Sequence, residues 1–249
     1  MVTIEGVRLT ARDLTFAYRR GAPVVLDRLN LECEPGSVTV LTGPSGAGKS
    51  TLLYLLALLL PASQGSVEWD GRSVESLPDG ERSRLRAAHS GFVFQDAMLD
   101  PSRTVVDNVL ESALFAGIDP QTARQRADEL LAEFGISHRG DHRPGEISGG
   151  QAQRVALCRA LVTNPDVVFG DEPTGNLDAD SARIVWDALI RHAACGATVV
   201  VATHDESLAQ AADHTIVIDL PDDGNDSIHG DGVVVTNGVG VGNGAGERP

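Results

Sequence analysis

Apolar positions along this chain come in short runs whose spacing changes from segment to segment. Residues alternate through Val7–Thr15, and Ser37–Leu41 is a compact apolar run, so both are expected to be strands. The second run opens onto Gly43-Pro44-Ser45-Gly46-Ala47-Gly48, and a helix is expected from Lys49 to about Leu60. Gly91-Phe92-Val93-Phe94 has the form of a short buried strand. From Thr104 to Arg139 the period becomes helical: Ala123, Ala127, Leu130, Leu131 and Phe134 fall on one face, with Gly135 placed as a C-cap. Helix and strand then alternate through Gln151–Val162, Val167–Phe169, Asp180–Ala194, Ala197–Ala202 and Thr215–Asp219. Apolar, β-branched strands separated by helices predict an α/β fold with a mostly parallel sheet covered on both faces. From Pro221 onward the chain is rich in Gly, Asp and Asn and shows no core-forming pattern, apart from a short strand at Gly232–Val235. That segment is expected to be mobile, and its removal to leave folding intact.

Length and composition narrow this picture. A chain of 249 residues with 42% hydrophobic content can bury a full core, as one domain with a subdomain. Its longest apolar run, Leu52–Leu60, is far short of the roughly 20 residues of a membrane span and suits a helix in a soluble core. The N-terminal stretch lacks the basic start and apolar core of a secretory signal, which predicts a cytoplasmic protein. A net charge of −15 argues against a nucleic-acid partner, since phosphate binding needs clustered positive charge. Cys33, Cys158 and Cys195 share no CxxC spacing and are expected to be reduced, structural thiols. Arg82, Arg84 and Arg86 are expected to form a solvated helix face. Of the 20 basic residues, Lys49 is the only lysine. An arginine fork cannot replace a compact ammonium at every site, so a lysine kept in such a chain points to chemistry.

That lysine stands in Gly43-Pro44-Ser45-Gly46-Ala47-Gly48-Lys49-Ser50, which fits the phosphate-loop pattern G-x-x-x-x-G-K-[ST]. The glycines let backbone N–H groups turn toward phosphate oxygens, and the helix behind presents its positive end. In that geometry Lys49 reaches the β- and γ-phosphates and the Ser50 hydroxyl ligates Mg²⁺. Val167-Val168-Phe169-Gly170-Asp171-Glu172 is an apolar strand ending in two carboxylates, at the edge where parallel sheets bind ligands. Asp171 is the expected metal-holding group and Glu172 the expected general base. These two motifs alone leave a GTPase, a kinase and a helicase open.

Ile147-Ser148-Gly149-Gly150-Gln151, followed by Ala152-Gln153-Arg154, resembles the signature of the ABC ATPase family, LSGGQ. Its small residues let the backbone approach a phosphate at a helix start. Further motifs recur in the family's order. The resemblance implies that Tyr18 stacks on adenine, that Gln95 contacts Mg²⁺ and links the site to a helical subdomain, and that His204 contacts the γ-phosphate. It also implies that Asp178, in Asn176-Leu177-Asp178, lies in a loop crossing a dimer interface, and that Ser148, Gly149, Gly150 and Gln151 act on ATP held by Gly43–Thr51 of a second copy. Within the family, Gly170–Asp178 is similar to the branch serving lipoprotein release, macrolide export and cell-division permeases.

The resemblance spans Val7 to Asp219. It implies a P-loop NTPase fold with an N-terminal antiparallel β part, a nucleotide-binding domain over residues 1–220, a helical subdomain over about 96–150, and a tail over 221–249. The implied cofactors are ATP and Mg²⁺. The implied partners are a second copy of the chain, in a homodimer around two ATP molecules, and a separate transmembrane permease that holds the chain on the inner face of the cell membrane. Ile147 replaces the usual Leu of the signature, and the tail lacks the family's Asp-Gly-Arg hairpin. Two other roles use the same motor: an ATPase that signals through a non-transporting membrane partner, and an ATPase of DNA repair or translation. The second would carry a coiled-coil or zinc insertion or a tandem domain, which this chain lacks.

Overall fold

A computed structural model describes residues 3–219 and, as backbone, 233–237. The chain begins with β1 (Leu9–Phe16), β2 (Leu26–Cys33), β3 (Val38–Thr42), α1 (Lys49–Leu56), β4 (Gln64–Trp69) and β5 (Arg72–Ser73). It continues through α2 (Asp79–His89), β6 (Ser90–Val93), α3 (Val105–Phe115), α4 (Pro120–Glu133) and α5 (Gly149–Leu161). The last part holds β7 (Val167–Asp171), α6 (Ala179–Ala194), β8 (Thr198–Ala202), α7 (Glu206–Ala211), β9 (His214–Ile218) and β10 (Val233–Asn237).

Two sheets result. The antiparallel sheet has the order β2-β1-β4-β5, and the six-stranded sheet runs β10-β9-β3-β8-β7-β6. Every neighbouring pair of the larger sheet is parallel except β10 with β9. Alternation along its strands explains why they look uniformly apolar. Val168, Val199 and Val201 enter one cluster with α3, α4, α5 and α6, while Val167, Phe169, Val200 and Ala202 enter a second with α1 and the antiparallel sheet. Both faces are covered, so side chains of either parity must be apolar. Gly91 of β6 is small for a packing reason: a Cβ there would lie 2.2 Å from the Ala160 carbonyl oxygen of α5.

Two segments differ from the expectation, and a third extends it. Helix α1 stops at Leu56, because Leu58 takes a left-handed φ of 58° and the Leu59 N–H turns back to the Tyr54 carbonyl at 2.8 Å. Arg86 is not solvated: it donates to the Leu58 carbonyl at 2.5 Å and to Ser83 Oγ at 3.0 Å, and Arg82 keeps only 14% of its side chain exposed. Arg84 alone of the three is exposed. The short strand expected in the tail at Gly232–Val235 is present as β10, runs on to Asn237 and pairs with β9 from Val233↔Ile218 to Asn237↔His214. The rest of that tail, 220–232 and 238–249, lies outside the described residues, as does the expectation that it is mobile.

Residues 96–150 hold α3, α4 and two short 3-10 turns, Ser137–Arg139 and Pro144–Glu146, with no strand. The predicted α4 face is buried, with Ala123, Ala127, Leu130, Leu131 and Phe134 all in the core, and Gly135 follows at φ 68°. Helix α5 joins this helical layer to the sheet.

Candidate functional site

The link from β3 to α1 is shaped by three glycines with positive φ: Gly43 (141°), Gly46 (86°) and Gly48 (95°). Side chains rarely adopt that region. At Gly43 a Cβ would also sit 2.1 Å from the Ile218 carbonyl oxygen of β9, so space and conformation both require glycine. Pro44, Ser45 and Gly46 are exposed, whereas Ala47 is buried and anchors the loop in the core. No side chain caps the start of α1. Its first-turn N–H groups have no intrahelical partners, and the helix dipole adds partial positive charge there. Lys49 Nζ donates to the carbonyls of Gly43 at 2.8 Å and Pro44 at 2.9 Å, folding the ammonium back over the loop. Tyr18, 62% exposed, meets the buried Thr51 through their hydroxyls at 2.8 Å and stands edge-on to Phe16 at 5.0 Å.

The carboxylates at the end of β7 face this loop. Ser50 Oγ donates to Asp171 Oδ1 at 2.7 Å, and the Tyr54 hydroxyl donates to Asp171 Oδ2 at 2.6 Å. Burial, aided by that carboxylate, pushes the Tyr54 phenol up and keeps it a neutral donor. Glu172 is held with φ 45° as its N–H donates to the Ala202 carbonyl at 2.8 Å. Its Oε2 accepts from Thr203 Oγ1 at 2.9 Å, while its Oε1 accepts from the His204 N–H at 3.0 Å and lies 2.7 Å from His204 Nδ1. A carboxylate, an imidazole and a hydroxyl from the ends of adjacent parallel strands thus form one hydrogen-bonded group beside the glycine loop. Gln95, exposed after β6, approaches the same turn: a Cβ on Gly175 would lie 3.6 Å from Gln95 Nε2, and the Gly175 N–H donates to the Glu172 carbonyl at 3.1 Å.

A second cluster forms at the start of α5. Ser148 Oγ accepts from the Gln151 N–H at 3.3 Å, and Gln151 Oε1 accepts from the Ser148 N–H at 2.9 Å, a reciprocal capping box. Gly149 and Gly150 form the first helical positions. A Cβ on Gly150 would fall 2.7 Å from Ser181 Oγ, so the glycine lets α5 approach the start of α6. There Asp178 accepts from the Ser181 N–H at 3.0 Å and from Ser181 Oγ at 2.9 Å. Those bonds, the backbone one foremost, hold its carboxyl below the usual range. Among the described residues no hydrogen bond joins Ser148–Gln151 to the glycine loop. The site residues therefore divide into two groups, one around Gly43–Thr51 and the other around Ser148 and Asp178.

Side chains that sequence reasoning passed over tie these parts together. Gln153 Nε2, on buried α5, donates to the carbonyls of Phe94 at 2.7 Å and Pro173 at 3.1 Å, joining the segments of Gln95 and Glu172. Arg159 donates to the Ala97 and Met98 carbonyls, both at 2.8 Å. Thr203 and Tyr54 orient the two carboxylates. Tyr54 had a readable signal, since it lies one helical turn beyond Ser50; Gln153 and Arg159 had none, because their acceptors are main-chain groups distant in sequence.

A parallel sheet opening into a glycine loop after β3, with paired carboxylates at the end of β7 one strand beyond β8, defines a phosphate-loop nucleoside triphosphatase. The ABC transporter family profile matches residues 26–175, and the chain belongs to that family. It is 44% identical to the lipoprotein-releasing system ATP-binding protein LolD of Paramagnetospirillum magneticum, over 85% of this chain and 94% of that protein. It is 43% identical to the macrolide export ATP-binding/permease protein MacB of Burkholderia pseudomallei, over 78% of this chain and 30% of that longer protein. Among solved structures, the dimeric bacterial ABC transporter cassette MJ0796 matches with a TM-score of 0.78 and 33% identity, over 85% of this chain and 94% of that one. A dimeric post-hydrolysis state of the same cassette, bound to ADP and Pi, matches with a TM-score of 0.78 and 32% identity. No helix among the described residues is long and apolar enough to cross a membrane.

Proposed function

We propose that the chain binds ATP with Mg²⁺ in the loop Gly43–Thr51, hydrolyses it within a dimer of two copies, and drives a separate membrane permease in export or in extraction from the membrane. The observation that carries this reading is the grouping of the hydrogen bonds: Ser148, Gly149, Gly150 and Gln151 belong to the motif set yet, among the described residues, make no hydrogen bond to the loop of their own chain. In this reading the signature turn of a second copy completes the site. The dimeric state of the MJ0796 cassette supports the same arrangement.

The residues fit the groups they would hold. Positive φ at Gly43, Gly46 and Gly48 frees N–H groups for phosphate oxygens, and Lys49 exchanges two carbonyls for the β- and γ-phosphates. Tyr18 supplies an exposed ring for adenine. Ser50, Asp171 and Gln95 are oxygen donors suited to Mg²⁺. When bound, that ion supplies positive charge to the phosphoryl oxygens. Glu172 takes the proton of the attacking water, with its carboxylate aimed by Thr203 and His204. His204 contacts the γ-phosphate. In the partner, Ser148 and the N-terminus of α5 face that phosphate, and Asp178 lies at the interface. The names of its relatives, one an ATP-binding protein and one an ATP-binding/permease protein, support a motor working on a permease. Through that permease the motor is placed, in this reading, on the inner face of the membrane.

Glu172→Gln tests this. It keeps the size and hydrogen bonding of the side chain but removes the base, so ATP binding persists while turnover falls by at least about 100-fold. Light scattering should then show an ATP-dependent dimer. Near-normal steady-state hydrolysis by this variant would overturn the assignment of the base.

A further inference from the structure

Ser50 and Tyr54 lie four residues apart on α1, so their side chains share one helical face. Both hydroxyls reach the same carboxylate: Ser50 donates to Oδ1 of Asp171 at 2.7 Å and Tyr54 to Oδ2 at 2.6 Å. At those lengths both bonds are charge-assisted. Asp171 is only 8% exposed, so these donors replace water that the buried carboxylate would otherwise need. The Tyr54 ring is itself positioned. Phe92 of β6 lies 5.9 Å away, and Phe92 in turn stacks on Phe94 at 4.2 Å and Phe169 at 6.1 Å. A rigid aromatic row thus ends in one hydroxyl directed at the oxygen that Ser50 leaves free.

We propose that Tyr54 is a positioning residue for the metal-holding carboxylate: its phenol O–H fixes the rotation of Asp171, so that the oxygen shared with Ser50 is presented to Mg²⁺ in one orientation. The inference rests on the reading of Asp171 as the residue that holds the ion with ATP. Ser50 can donate its proton to Asp171 while offering a lone pair to the metal. Tyr54 serves a different end, because it occupies Oδ2 and removes the carboxylate's freedom to turn. The group has no part in phosphate or adenine contact, so its loss should be felt in metal affinity alone. Outer-shell donors of this kind typically carry about 10- to 100-fold in metal affinity.

The test compares the native protein, Tyr54→Phe and Asp171→Asn in two titrations. The first measures ATP affinity in EDTA; the second measures Mn²⁺ affinity of the ATP complex by electron paramagnetic resonance. Tyr54→Phe keeps the ring and its contact with Phe92, and its melting temperature without nucleotide reports whether the fold is retained. The expected result is unchanged ATP affinity in EDTA and roughly tenfold weaker Mn²⁺ binding. Asp171→Asn should weaken Mn²⁺ further. Native-like Mn²⁺ binding by Tyr54→Phe, with Asp171→Asn impaired, overturns the role of Tyr54 and leaves the site reading standing. Equal losses of ATP and Mn²⁺ affinity by Tyr54→Phe mark a merely structural residue and overturn it too. Native-like Mn²⁺ binding by Asp171→Asn overturns the site reading on which the proposal rests.

Discussion

In a chain that uses arginine at every other basic position, Lys49 sets a compact ammonium 2.8 and 2.9 Å from two carbonyls of its own loop. A guanidinium carries the same charge on a planar fork too wide for that turn. Lys49→Arg should therefore weaken ATP binding nearly as much as Lys49→Ala. Hydrogen bonds to charged groups contribute about 1.5–3 kcal/mol, which corresponds to roughly 10- to 100-fold in affinity. Equilibrium titration with a fluorescent ATP analogue measures it; native affinity in Lys49→Arg would show that charge alone suffices. At this scale the sequence was most readable where chemistry demands one residue type at one spacing, as in Gly43–Ser50 and Asp171-Glu172. It assigned no bridging role to Gln153 or Arg159, whose acceptors are the backbone oxygens of Phe94, Pro173, Ala97 and Met98. A main-chain acceptor leaves no trace in residue identity.

Helices α4, α6 and α7 each begin at an aspartate, Asp119, Asp178 and Asp205. All three carboxyls are held below the usual range. Hydrogen bonds from the Thr122 and Ser181 N–H groups are the leading cause for the first two, and the Ser207 hydroxyl for the third. A depressed folded-state value means that the stabilisation is complete above the unfolded value, about 3.9, and is lost as pH falls through the folded values. Denaturant midpoints should accordingly drop below about pH 4. Asp119→Ser, whose hydroxyl caps without titrating, should shallow that drop; an identical pH profile would show that the cap is not coupled to folding. The elements themselves were legible where both faces are buried, as in β3, β7 and β8. Strands β2, β4 and β5 were missed because one face of their sheet meets solvent. In β2, charged or polar residues stand between Leu26, Leu29, Leu31 and Cys33, and such a strand is easily taken for a loop. The stop of α1 at Leu56 was hidden because the apolar run continues through a left-handed residue that carries a leucine.

At the scale of the whole molecule, the proposed function makes the glycine loop with Asp171, Glu172 and His204 one half of a site, and the capped turn at Ser148 the other half of a different one. If two copies complete each other, specific activity at saturating ATP should rise with protein concentration and level off once dimers dominate. Complementation is the most direct test. Lys49→Ala loses the loop and Ser148→Arg loses the signature turn, so each alone should be nearly inactive. In a heterodimer, the loop of the Ser148→Arg subunit faces the intact signature of the Lys49→Ala subunit, which restores one working site. The measurement is steady-state phosphate release from the two variants, separately and in a 1:1 mixture, with light scattering on the same samples. Activity in the mixture well above the mean of the separate variants is the predicted result. A mixture no more active than that mean despite heterodimer formation, or a native protein that hydrolyses ATP at full rate as a monomer, would contradict the shared site.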